Sequence, residues 1–248
     1  MDSFFSVNFE FSREAIIASI DEHVKMGIPA YICGCDGTIL SIVHKDAAYK
    51  AVIEGGLFSI CDSSWVPIYL KWIYGINREQ YCGSQILMDV ISLKKYRHIF
   101  LGATPQVLDG LKSFLRRVDK SIDAMCFMAL PFCEVDEFDY PAIAQMIERD
   151  GAQIVWVSLG APKQEIFMSR LQPYLKNGVM IAVGAAFKYF SGVDEKRAPQ
   201  WMIRCHLEFI HRLFCNPKKQ FKRCMGIVTT MPGLLADEWK RKREKMNA

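Results

Sequence analysis

No Cys-x-x-Cys pair occurs among the nine cysteines of this 248-residue chain, and its five histidines fall at no finger-like spacing. A zinc module and a disulfide-stapled scaffold are therefore both disfavoured. The cysteine count is odd, and Cys33 and Cys35 would point to the same face of a strand. Reduced thiols in a core or at a site edge fit that pattern, so a cytoplasmic address is expected. No Gly-x-Gly-x-x-Gly follows a strand pattern, which argues against a dinucleotide oxidoreductase. No apolar run approaches the length that spans a bilayer. Met1 to Ser12 contains Asp2 and Glu10 and has no basic start leading into an apolar stretch, which predicts no signal peptide. With 51% hydrophobic and 23% charged residues, the chain has enough apolar surface to bury a full core, which suits one α/β domain with an appendage.

Charge is unevenly placed. From Lys196 onward 13 Lys and Arg stand against 4 Asp and Glu, a net of +9, whereas the residues before it carry 18 against 23, a net of −5. In that basic stretch Trp201, Met202, Cys205, Phe209, Leu213 and Phe214 share one side of a predicted helix, and Arg204, Glu208 and Arg212 share another. Asn216-Pro217 is expected to break it. Lys218, Lys219, Lys222 and Arg223 follow, then Met231-Pro232-Gly233 and a further helix ending in Lys240-Arg241-Lys242-Arg243. Aromatics beside clustered cations suit an anionic membrane surface, at about 1 kcal/mol per basic residue. A solvated helical tail is the plain alternative for 240–245. Nucleic acid is not expected as a partner, because the aromatics follow helical core spacing and not that of a stacking platform.

Before the basic region, strands and helices alternate. Ser12 is placed to cap a helix through Ile16, Ile17, Ile20 and Val24, stopped by Gly27-Ile28-Pro29. Tyr31 to Cys35 reads as a strand, and Ile39, Leu40, Val43, Ala47 and Val52 as the inner side of one helix that Gly55-Gly56 stops. Leu57 to Cys61 is a short strand ending on Asp62, with a helix through Ile68, Trp72 and Ile73 behind it. Tyr81-Cys82-Gly83-Ser84 opens a helix through Ile86, Leu87, Val90 and Ile91. Arg97 to Gly102 is a strand, after which Thr104 is placed to cap a helix with Pro105 at its start. Met125 to Leu130 reads as another strand, Asp136 to Asp139 as an acidic loop and Pro141 to Arg149 as a helix. This order predicts a Rossmann-like, doubly wound α/β sheet of about six parallel strands over 1–195, with a basic helical appendage over 196–248.

Ile154 to Pro199 organises the rest. Two apolar β-branched runs, Ile154 to Leu159 and Val179 to Val183, are too short for core helices and each stops at a glycine, as buried parallel strands do. Pro162 suits a first helical position, which puts Gln164 and Glu165 in a first helical turn at the carboxyl edge of the sheet. Phosphorylated ligands bind there, against free N–H groups and the positive end of the helix dipole. Gln164 can donate and accept and is the better ligand candidate, whereas Glu165 competes for the positive helix end. An ordinary strand-to-helix turn would read the same. Asp62 lies on that edge too, where a carboxylate can take a proton from an attacking hydroxyl or simply cap the helix through Trp65.

Leu159-Gly160-Ala161-Pro162-Lys163-Gln164-Glu165, Val183-Gly184-Ala185-Ala186-Phe187, Ser191-Gly192, Lys196-Arg197-Ala198-Pro199-Gln200-Trp201 and Leu207-Glu208-Phe209-Ile210-His211-Arg212-Leu213 resemble, in order and spacing, successive signatures of the WecG/TagA/CpsF glycosyltransferases, glycosyltransferase family 26. Weaker similarity runs back to about Ile28. The resemblance implies inverting transfer of N-acetylmannosamine or its uronic acid from a UDP-sugar to a GlcNAc on undecaprenyl diphosphate, in cell-surface polysaccharide synthesis, with no metal and no other cofactor. It implies that Asp62 is the catalytic base and that Gln164, Gly160, Asp36, Gly184, Lys188 and Gln80 line the nucleotide-sugar site. Arg197, Arg212, Lys219 and Lys222 would meet the diphosphate of donor or acceptor. The appendage would cover the site and touch the inner face of the cell membrane, making the protein cytoplasmic and peripheral; a homo-oligomer is compatible. Four features depart from the family. Gly34-Cys35-Asp36 replaces a Thr-x-Asn turn, Lys188 an Asp, Gln80 an Arg, and Asp62 is flanked by Cys61 and Ser63 in place of Pro and Gly. The changes at Gly34, Gln80 and Lys188 leave open one alternative, a non-catalytic accessory subunit of a partner glycosyltransferase.

Overall fold

The computed structural model describes residues 2–193, 199, 201–202, 207–215 and 217–247. Along the chain come β1 (Asp2–Phe4), β2 (Val7–Phe9), α1 (Arg13–Met26), β3 (Ala30–Cys35), α2 (Gly37–Lys45), α3 (Ala47–Glu54), β4 (Phe58–Cys61), α4 (Val66–Tyr74), α5 (Gly83–Ser92), β5 (His98–Gly102) and α6 (Pro105–Leu115). They are followed by β6 (Cys126–Met128), α7 (Tyr140–Asp150), β7 (Ile154–Ser158), α8 (Lys163–Leu171), β8 (Val179–Ala182), α9 (Ala186–Ser191), α10 (Glu208–Cys215) and α11 (Pro217–Asn247). The strands form one sheet in the order β1-β2-β4-β3-β8-β7-β5-β6, parallel throughout except for the β1–β2 pair.

Alternate residues of the central strands enter two separate cores. Tyr31, Cys33, Cys35, Val155, Val157 and Met180 pack with α2, α3, α4, α7 and α8 on one face. Ile32, Ile154, Trp156 and Ile181 pack with α1, α5, α6 and α9 on the other. Burying each large apolar side chain stabilises by about 1.5–3 kcal/mol, and a one-residue slip would exchange the two faces, so the register is firmly held. Ser12 and Thr104 cap α1 and α6 as expected, accepting from Ala15 N at 3.2 Å and Val107 N at 3.4 Å.

Several expectations need correction. The sheet has eight strands, not about six. The extra pair is an N-terminal hairpin turning at Phe5 and Ser6, with φ of 51° and 60°, where no Asn-Gly or Asp-Gly signature announced it. The helix expected from Ile39 to Val52 is two helices, because the Asp46 carboxylate accepts from Ala48 N and Tyr49 N and starts α3 anew. Ala47 is then exposed, and Tyr49 and Ile53 face the core instead. Pro162 occupies the N-cap of α8 and not its first helical position.

Met231-Pro232-Gly233 does not interrupt the C-terminal helix; α11 runs through Pro232 for 31 residues. An interior proline costs about 3 kcal/mol, and packing on both sides of it offsets that cost. Before it, Ser41 Oγ donates to Gly226 O at 2.9 Å and meets the Thr230 hydroxyl at 2.8 Å. After it, Leu234 and Glu238 are buried. The Glu238 carboxylate accepts from Phe5 N and from the Tyr74 hydroxyl, both at 2.8 Å, and faces Arg241 at 3.3 Å. Arg241 also donates to Ser6 Oγ, and Lys242 donates to Ile73 O. A solvated tail therefore does not describe 240–244: Arg241 and Lys242 lie half-buried on the core, while Lys240 and Arg243 are exposed; the side chain of Lys245 lies outside the described residues.

Candidate active site

Because the strands are parallel, the carboxyl ends of β3, β4, β7 and β8 share one edge. β3 and β4 end in register, Cys35 opposite Cys61, so Asp36 and Asp62 emerge side by side, and Asp62 N donates to Cys35 O at 3.0 Å. β7 and β8 pair Val157 with Ala182, which brings Gly160 and Gly184 together just beyond them. After β3, β4 and β7 the chain passes to one face of the sheet, and after β8 it passes to the other. A crevice opens where connections diverge in this way, and doubly wound sheets bind ligands there.

Asp62 does not cap α4. The N-cap position is Trp65, without a side-chain cap, and the turn ahead of it is closed by Ser63, whose Oγ accepts from Trp65 N at 3.2 Å and Val66 N at 3.4 Å. The Asp62 carboxylate turns the other way and takes the N–H of Gly83, at the start of α5, on Oδ1 at 3.3 Å. Gly83 can approach because it has no side chain: a Cβ there would stand 2.9 Å from both Cα and O of Val183. Gln80 holds the Asp62 backbone, its Nε2 donating to Asp62 O at 3.3 Å. On the β3 side, a Cβ at Gly34 would be 3.8 Å from Asp62 Oδ2. The half-exposed carboxylate is thus oriented by the start of α5 and lies against the end of β3.

Gln164 and Glu165 sit directly behind the glycine turns. Gln164 is 3% exposed, and its Oε1 accepts from Gly160 N at 3.2 Å and from Gly184 N at 3.1 Å. Its Nε2 donates to Glu165 Oε1 at 2.7 Å. Glu165 is fully buried, and its Oε2 accepts from the Tyr49 hydroxyl at 3.2 Å. Burial pushes the Glu165 carboxyl up to about 7; hydrogen bonds from Gln164 and Tyr49 oppose that rise, and the charge of Asp36 adds to it. Gly184 is held a second time, its carbonyl accepting from Ser158 Oγ at 2.6 Å. Both glycines have left-handed backbone, φ 77° at Gly160 and 52° at Gly184, which other residues rarely adopt.

Asp36 caps α2 with Oδ1, accepting from Thr38 N at 2.8 Å and Ile39 N at 3.0 Å, and presents Oδ2 to Arg223 of α11 at 2.8 Å. Helix α11 thereby delivers a guanidinium to the sheet edge. Sequence reasoning counted Arg223 only as one cation in a cluster; nothing local distinguishes it from Lys222, which is exposed on the same helix. Lys188 is half-exposed on α9, its carbonyl accepting from Ser191 Oγ at 2.9 Å. Asp62, Gln80, Asp36, Gly160, Gly184 and Gln164 therefore converge on one edge. Arg197 and the side chains of Arg212 and Lys219 lie outside the described residues.

The family model described as the glycosyl transferase WecG/TagA/CpsF family matches residues 3–244. An N-acetylglucosaminyldiphosphoundecaprenol N-acetyl-beta-D-mannosaminyltransferase of Bacillus subtilis is 29% identical over 219 residues, covering 83% of this chain and 82% of its own length. The protein of the same name from Bacillus spizizenii is 28% identical over 197 residues, covering 78% of this chain and 74% of its own. With the match running through both the sheet and the C-terminal helix, this chain belongs to the WecG/TagA/CpsF family and is a glycosyltransferase.

Proposed function

We propose that the chain transfers an N-acetylhexosamine-type sugar, N-acetylmannosamine or its uronic acid, from a UDP-sugar to a GlcNAc carried on a polyprenyl diphosphate, with inversion and without a metal. Asp62 is the base. The acceptor hydroxyl oxygen attacks the anomeric carbon, its proton passes to the Asp62 carboxylate, and the bond from that carbon to the diphosphate oxygen breaks, the electron pair leaving with UDP. One displacement of this kind inverts the configuration. The observation that carries the reading is the aim of Asp62: it is not the cap of α4, and its carboxylate accepts from Gly83 N at the carboxyl edge of the sheet.

The leaving diphosphate is received by the positive end of α8 and by cations of the appendage. Gln164 serves this site by holding the Gly160 and Gly184 turns, and Lys188 and Gln80 tune the donor pocket from its rim. Arg197, Arg212, Lys219 and Lys222 meet the diphosphate of donor or acceptor. A lipid-linked acceptor requires the protein at the inner face of the membrane. Among the described residues no helix is long and apolar enough to cross one, and a peripheral contact is supported by α11, where Phe221, Met225 and Val228 are exposed beside Lys222. The test is UDP release from a panel of UDP-N-acetylhexosamines and uronic acids with a lipid-diphosphate-GlcNAc acceptor in EDTA, followed by NMR of the product's anomeric centre. Acceptor-dependent release with inversion is expected. Retention of configuration would contradict the reading, and silence across the panel would favour an accessory role beside a partner glycosyltransferase.

A further inference from the structure

The amide of Gln164 is fixed at both ends. Two backbone N–H groups, of Gly160 and Gly184, converge on one of its atoms at 3.2 and 3.1 Å. Donors can only face an acceptor, so that atom is the oxygen. The NH2 end must then point the opposite way, into a region that is 97% or more shielded from solvent at both Gln164 and Glu165. There the acceptor is Glu165 Oε1, at 2.7 Å. The other Glu165 oxygen is taken by the Tyr49 hydroxyl, at 3.2 Å, from α3.

We propose that Glu165 is a positioning residue of the donor site: by taking the Gln164 NH2 it turns the Gln164 oxygen toward Gly160 and Gly184 and sets the distance between the two strand-end turns. This rests on the proposed donor site at that edge. Glu165 touches no substrate in this account; it acts through Gln164. A carboxylate accepts a hydrogen bond more strongly than a carboxylic acid does, so the clamp is tightest when Glu165 is ionised. Burial raises this carboxyl to about 7, so the clamp loosens as pH falls through neutrality. The groups acting on it are the Tyr49 hydroxyl from α3, Asp36 from the β3 end, the Cys33 and Cys35 thiols from β3, and its own neighbour Gln164. Burial raises both thiols well above their ordinary range, so they stay neutral and do not titrate with it.

The experiment is calorimetric titration of the full chain with UDP-N-acetylmannosamine, whose diphosphate diester does not titrate near neutrality, from pH 5.5 to 8.5. It is paired with amide hydrogen exchange at Gly160 and Gly184. Wild type should bind more tightly above an inflection near 7. Glu165→Leu, which leaves the Gln164 NH2 unpaired, should bind about tenfold more weakly at pH 8, and exchange at both glycines should quicken. Glu165→Gln keeps an acceptor, so it should recover most of the affinity but show no inflection. Tyr49→Phe removes a donor that favours the ionised form, so the inflection should move to higher pH, a reading that holds even if Glu165→Leu does not fold. Equal affinity and equal glycine exchange in Glu165→Leu, or an inflection that survives in Glu165→Gln or stays in place in Tyr49→Phe, would overturn the proposal. If wild type binds no nucleotide sugar, the donor-site reading fails, and glycine exchange in Glu165→Leu and Glu165→Gln still decides whether Glu165 holds the clamp.

Discussion

Gly83 joins the site to the fold, and Gly83→Ala tests both at once. The new Cβ would stand 2.9 Å from Cα and O of Val183, where ordinary contact begins at 3.4 Å. Both atoms are backbone at the end of β8, so neither can swing away, and the start of α5 must retreat by about half an ångström or more. Overpacking of this kind costs about 1–3 kcal/mol. For a chain of this size that lowers Tm by about 2–12 °C. The retreat also stretches the bond from Gly83 N to Asp62 Oδ1, already 3.3 Å, beyond hydrogen-bonding range. A base displaced on that scale should lose about 10–100-fold in kcat, with KM for the donor little changed. Gly27→Ala is the control. It meets nothing within 4 Å but must hold φ 66°, costing about 1–2 kcal/mol at the end of α1, on the opposite edge of the sheet from Asp62. Thermal melts and initial-rate kinetics on the two variants give the comparison. An unchanged Tm and kcat in Gly83→Ala would refute the close-approach argument, and a kcat lost equally in both would refute its link to Asp62.

Glu238→Ala leaves Phe5 N and the Tyr74 hydroxyl without their acceptor and should cost about 2–4 kcal/mol. Tryptic cleavage at Arg241 and Lys242, half-buried in the native protein, should then precede global unfolding; cleavage at the wild-type rate would contradict the docking of α11. His98 is buried, and burial holds its pKa down to about 4 from 6.5. The unfolded chain therefore takes up this proton first, so the stability His98 contributes is complete above about pH 6.5 and is lost as pH falls toward 4. Glu165 runs oppositely: between 4.5 and about 7 the folded state holds a proton that the unfolded state releases. His98→Gln keeps an acceptor for Trp156 Nε1 and should show urea midpoints that rise from pH 7 to 5 relative to wild type. Parallel curves would show that His98 does not titrate in this way.

The α/β order, the glycine stops and the carboxyl-edge position of Asp62 and Gln164 were legible because each depends on short-range pattern: β-branched runs, capping residues and a proline at a strand-to-helix turn. The hairpin at Phe5-Ser6 was not legible, because burial of Phe5 and contacts with Glu238 and Arg241, more than 230 positions away, hold it. The continuity of α11 through Pro232 was hidden for the same reason. Local propensity argues for a break there, and Ser41, Leu234 and Glu238 override it. At the site, sequence treated Gln164 as a ligand and Glu165 as a complication. The folded chain pairs the two through a single hydrogen bond and turns both inward. Arg223 could not be singled out, since only docking of α11 brings it to Asp36.

The central claim is that Asp62 removes the acceptor proton. Asp62→Asn tests it most directly, because the amide oxygen can still accept from Gly83 N and the fold should be kept. Acceptor-dependent UDP release in EDTA should fall by about 100–10,000-fold in kcat while Tm stays at the wild-type value. Wild-type turnover by a correctly folded Asp62→Asn would contradict the account.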